Sequence, residues 1–329
     1  MRKAPEPAHR NRRSARILSA AFVILLTASM LAGLPRPGQA QTGSSPTPAQ
    51  GNPLNLAILW HNHQPLYKNV LTGLYEMPWV RDHAATEYLD HPEILMQHPG
   101  VNLTFNLVPS LIYQMEDYAG SAVDNHIQLA RIDLASATPD ERRLMAQEFI
   151  RLAPWYYTNV TTNPWYNTYE AFPRLHDLVA NVSADPLSLN DTELQDLETI
   201  YFLRQISIPY VEGRYNASDA NATILQLLHK GTGYNQTDTE TVLLIQRVII
   251  AKIVGLYKQA QDIGQAEIIT TPFYHPISPL LLQDTIPSED AVHNVTKGVW
   301  ADDARYQYQN ASDFYAARFG QPAAGVWNS

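Results

Sequence analysis

Three short runs, Leu54–Trp60, Val101–Leu107 and Glu267–Thr271, are rich in apolar and β-branched residues, and polar, proline-containing sequence follows each. Runs of that length and make-up predict buried strands. Between the second and third lies a long stretch with helical signals. Thr138-Pro139-Asp140-Glu141 is a capping box with proline at the first helical position, and Pro154 is expected to end that helix. Asn190 with Glu193 opens another, expected to reach about Ile206. Asp238 is expected to open a third that runs to about Ile263, with Gly264 as its stop. Near the end, Asp302-Asp303-Ala304, Gln307, Tyr315 and Phe319-Gly320 predict an amphipathic helix and a turn. Gly325-Val326-Trp327-Asn328-Ser329 then predicts the start of a further strand. Strands separated by helices argue for an α/β architecture with a parallel sheet. In barrels of that kind the chemistry stands at the C-terminal ends of the strands.

The first strand is followed by His61-Asn62-His63-Gln64-Pro65. Two residues in an i, i+2 relation on extended backbone point the same way, and Pro65 ends the strand sharply. Paired imidazoles there suit either a divalent metal or hydrogen bonds with ligand hydroxyls. A pair of structural histidines in a loop is the plain alternative. After the second strand stands Asn106-Leu107-Val108-Pro109-Ser110, where Asn106 is expected to cap a helix beginning near Pro109 rather than to face a ligand. After the third comes Thr271-Pro272-Phe273-Tyr274-His275-Pro276, which makes His275 a candidate for the same pocket.

Charge and composition narrow the partners. The first forty residues hold seven Lys and Arg against one acid, leaving 16 basic and 31 acidic residues beyond, a net of −15. A body that acidic repels phosphate backbones, so nucleic acid is not an expected partner. There is no Cys, hence no disulfide and no thiolate chemistry. Eighteen Tyr and six Trp supply flat apolar faces with polar handles, which suit sugar rings and large cores alike. Arg2, Lys3, Arg10, Arg12, Arg13 and Arg16 precede an uncharged apolar stretch from Ile17 to Leu34, and Gly38-Gln39-Ala40 offers small residues at a cleavage site. Residues 1–40 are therefore expected to be a secretory signal peptide, with an uncleaved membrane anchor as the alternative. Residues 41–53 form a flexible Ser, Thr, Pro and Gly leader, and nine Asn-x-Ser/Thr triplets lie beyond it.

Taken together, five segments resemble glycoside hydrolase family 57, a family of retaining enzymes acting mainly on α-glucans. His61-Asn62-His63-Gln64-Pro65 is similar to its first conserved region. Met77-Pro78-Trp79-Val80-Arg81-Asp82-His83 and Asn106-Leu107-Val108-Pro109-Ser110-Leu111 resemble segments of the amylase and amylopullulanase-like branch. Thr271-Pro272-Phe273-Tyr274-His275-Pro276 looks like the second region, and Gly325-Val326-Trp327-Asn328-Ser329 like the start of the third. The resemblance implies an incomplete seven-stranded β/α barrel over residues 54–329, truncated here, with a long helical insertion. It implies an α-glucan substrate and no cofactor. It implies sugar-facing roles for His61, His63, His275 and Trp327. The two-carboxylate mechanism of such enzymes needs a Glu nucleophile and an Asp acid/base about 5 Å apart. By the same resemblance both fall after Ser329, and Asn328 stands where the family usually has Pro. No catalytic carboxylate is therefore assigned within the chain. Glu76 and Asp82 are expected to be exposed carboxylates. Two readings compete with the glycosidase. One is a metal-dependent hydrolase using His61 and His63; the other is a glycan-binding protein without catalysis.

Overall fold

The structure is a computed structural model and describes residues 54, 56–151, 159, 161–215, 221–282 and 300–328. The expected signal peptide, the leader and Pro154 lie outside the described residues. Strands β1 (Leu59–Asn62), β2 (Leu103–Leu107) and β3 (Ala266–Ile269) form one parallel sheet in the order β1-β2-β3. The α/β architecture expected from the alternation of strands and helices is present.

The first strand sits later than its apolar run suggests. Strand β1 begins only at Leu59, opposite Thr104, and Leu56 ahead of it is highly exposed instead of buried. Within the paired region His61 lies beside Asn106, and Asn106 beside Ile269. One face of the sheet thus carries His61, Asn106 and Ile269. The other carries Trp60, Phe105 and Ile268.

Helices cover that second face. Helix α1 (Leu89–Met96) follows a π-helical turn at Ala84–Tyr88, α2 (Pro109–Ala119) follows β2, and α3 (Pro139–Arg151) opens the helical middle. Helix α4 (Asp191–Leu203) and the long α5 (Gln236–Asp262) also belong to that middle, and α6 (Ala301–Phe319) comes after β3 in the chain. The fully buried Tyr257 of α5 meets Phe105 edge to face, with ring centroids 5.1 Å apart, and accepts a hydrogen bond from Asn62 Nδ2 at 3.0 Å. That bond turns Asn62 toward the helices. Its neighbours His61 and His63 are thereby left on the opposite face.

The capping boxes at Thr138 and Asn190 hold. Thr138 and Glu141 exchange the expected bonds, as do Asn190 and Glu193. Helix α4 stops at Leu203, three residues before Ile206, and Ser207 N–H instead donates to Ala85 O at 2.8 Å. Helix α5 is capped by Asn235, and Asp238 is the third helical residue, returning a bond to the cap's backbone. Gly264 follows α5 at a φ of 78°, in the left-handed region expected of a helix stop. Among the described residues no helix is long and apolar enough to cross a membrane.

Candidate functional site

The segment after β1 is shaped by α2. Gln114 Nε2 donates to Pro65 O at 2.9 Å and its Oε1 accepts from Tyr67 N–H at 2.9 Å, while Ser110 Oγ donates to Gln64 O at 3.0 Å. Ser110 N–H also donates to Phe273 O, tying the loop after β3 to the same helix end. In that loop His275 N–H bonds Pro272 O at 2.8 Å, and His275 sits at a φ of 53°. A left-handed conformation at a non-glycine residue costs about 1–3 kcal/mol, and such strain tends to gather at functional positions.

The result is a cluster of three imidazoles. Ring centroids lie 5.7 Å apart for His61 and His63, 5.0 Å for His61 and His275, and 4.6 Å for His63 and His275. Trp327 closes the group at 5.6 Å from His61. It arrives there because the last segment pairs beside β3: Trp327 N–H donates to Thr270 O at 2.8 Å, and Thr270 N–H to Gly325 O at 3.2 Å. A side chain at Gly325 would press on Ile269 Cγ2 at 3.3 Å, so glycine suits this close approach. Asn328, at the position of the family's Pro, accepts from Tyr308 Oη at 2.6 Å. The four residues singled out in the sequence therefore meet at the C-terminal ends of the strands.

Burial and the neighbouring imidazole favour the neutral form of His61 and His63. Burial lowers the pKa of His61, and the nearby His275 lowers it further. For His63, burial first and then His275 and His61 push the value down to about 4. Neutral imidazoles each offer one donor and one acceptor, which matches hydroxyl groups. Among the described residues no group of three or more His, Asp or Glu is arranged to hold a metal ion.

Two site features escaped sequence reasoning. The first is Asn106, expected as a cap. Helix α2 has Val108 at its N-cap with no side-chain bond, while Asn106 is fully buried with Nδ2 2.6 Å from His61 Nδ1. The second is a chain of polar groups leading away from the histidines. Tyr67 Oη donates to Gln64 Oε1 at 2.6 Å, Gln64 Nε2 donates to Tyr88 Oη at 3.2 Å, and Trp79 meets Tyr67 edge to face at 5.3 Å. Tyr88 lies in the π-helical turn, a device common at functional sites. Glu76 is exposed as expected, but Asp82 is mostly buried, 3.6 Å from the guanidinium of Arg204.

The sequence model of glycosyl hydrolase family 57 matches residues 57–329. The chain belongs to that family. No curated protein sequence matches it. Among solved structures, this family 57 chain is similar to a branching enzyme of the same family from Thermococcus kodakaraensis. Identity is 13% and the TM-score 0.34, covering 83% of this chain and 32% of that one. A branching enzyme from Pyrococcus horikoshii gives 15% identity and a TM-score of 0.34, covering 83% and 34%. The α-amylase AmyC of Thermotoga maritima gives 13% and 0.33, again covering 83% and 34%. The chain thus spans about a third of the length of these structures.

Proposed function

We propose that this family 57 chain supplies the sugar-facing part of a retaining glycoside hydrolase acting on α-glucans. The observation that carries this is the meeting of His61, His63 and His275 at their strand ends with the indole of Trp327. Imidazole nitrogens can bind ring hydroxyls in fixed directions, and the indole offers an apolar wall to a sugar face. Such groups orient the substrate and stabilise developing charge; they do not form the covalent bond. The Glu and Asp implied by the family resemblance would add that step. The three parallel strands are read as an arc of the family's seven-stranded barrel. The outer edge of β1, which pairs with no strand among the described residues, fits that reading.

Titration with maltoheptaose tests the proposal. We expect saturable binding by the pure chain, weakened about 2- to 10-fold by Trp327→Ala. No reducing sugar should be released from an α-glucan. Absence of binding would overturn the substrate assignment, and release of reducing sugar would show that the reacting carboxylates lie within the chain.

Export belongs to the same proposal, resting on the basic start and the apolar stretch of residues 17–34. Sequencing the N-terminus of protein recovered outside the cytoplasm should give Gln41 as its first residue. Recovery of intact Met1 in a membrane fraction would instead support the anchor.

A further inference from the structure

We propose that Asn106 is a positioning residue for His61: its carboxamide N–H donates to His61 Nδ1, fixes the proton on Nε2, and so makes Nε2–H the donor presented to a sugar oxygen. The role in sugar binding rests on the function proposed above, whereas the tautomer rests on the geometry alone. Asn106 is fully buried on the central strand, and His61 is its register neighbour on β1. The two side chains share one face of the sheet, with 2.6 Å between Asn106 Nδ2 and His61 Nδ1. A neutral imidazole holds one proton on its two nitrogens, and the bond made by one nitrogen decides the character of the other.

The amide's orientation decides which tautomer is selected. As placed, Asn106 Nδ2 donates to Nδ1, and Oδ1 is a buried oxygen with no hydrogen-bond partner. Exchanging the two amide atoms would let Oδ1 accept from an Nδ1–H, but would put both amide N–H groups where that oxygen now stands. Orphaned buried donors are rarer than under-satisfied acceptors, so the first orientation is the one favoured. Asn106 reaches the ligand only through His61. It therefore orients the donor and does not touch the reacting atoms.

Long-range ¹⁵N–¹H correlation spectra of the full chain at pH 7.5 test the tautomer, with the His61 signals identified by their loss in His61→Gln. The wild type should show His61 Nδ1 unprotonated and Nε2 protonated. In Asn106→Asp the carboxylate can only accept, so the proton should move to Nδ1, and maltoheptaose binding should weaken about 2- to 10-fold. A protonated Nδ1 in the wild type would overturn the proposal, whatever the variant does. So would an unchanged tautomer in an Asn106→Asp protein whose circular dichroism shows it folded. If the wild type shows the expected tautomer yet binds no oligosaccharide, the proposed function fails and the assignment of Asn106 stands.

Discussion

Among the imidazoles of the cluster, His63 is the one held most strongly against protonation. Its pKa falls to about 4 because burial and two nearby rings all oppose protonation. In the unfolded chain the same ring returns to its ordinary value of about 6.5. Between these values the unfolded state binds a proton that the folded state refuses, so stability is lost as pH falls from about 6.5 toward 4. Urea unfolding of wild type and His63→Gln at pH 7 and pH 5 checks the sign. The wild type should lose more stability than the variant over that step; an equal loss would show that His63 is not held neutral. The pairing of this residue with His61 was legible in sequence, since i, i+2 spacing is local geometry, and the two rings lie 5.7 Å apart. The company that depresses its pKa includes His275, more than two hundred residues away.

Most elements were legible because their signals are local too. The capping boxes at Thr138 and Asn190 occur where read, and β2 and β3 fall within a residue or two of their apolar runs. The start of α5 was misplaced because both Asn235 and Asp238 are good capping types. The structure assigns the cap to Asn235, which accepts from Asp238 N–H at 3.1 Å. Asn235→Ala should therefore lower stability by about 0.5–2 kcal/mol in urea unfolding, with a loss of helical circular dichroism near the transition. Asp238→Asn should cost less, because an amide oxygen can still bond the Asn235 N–H. Equal losses at both positions would place the cap wrongly.

At the scale of the whole molecule, a buried polar cluster links the short helix Trp79–His83 to the helical middle. Arg81 Nε donates to Asp124 Oδ2 at 2.7 Å, and Arg81 also bonds Gln205 and Gln246. Asp124 accepts in addition from Tyr118 Oη at 3.2 Å and Ile127 N–H at 2.8 Å. Burial opposes the charge on Arg81, but Asp124 together with Tyr201 and Tyr118 outweighs it and raises the arginine's pKa. A buried charge is tolerable only when paired and hydrogen-bonded in this way. The neighbouring Asp82 follows the same logic through Arg204. Its sequence context, beside polar residues and away from any strand end, reads as exposed because Arg204 is remote in the chain.

The sequence by itself determined which segments become the strands and helices, and which four side chains stand at the strand ends. Alternation along a strand, capping chemistry and proline or glycine stops all act over a few residues, so they are written in the order of amino acids. Family membership was legible for the same reason, because the motifs are short and contiguous. Tertiary structure decided the partners. Asn106 became the neighbour of His61 through pairing between strands 45 residues apart, and Asn62 was turned aside by Tyr257 at a separation of 195. Trp327 reached the histidines because the final segment laid itself beside β3. Those contacts depend on how the strands register and how the helices pack over them, and no local pattern encodes either.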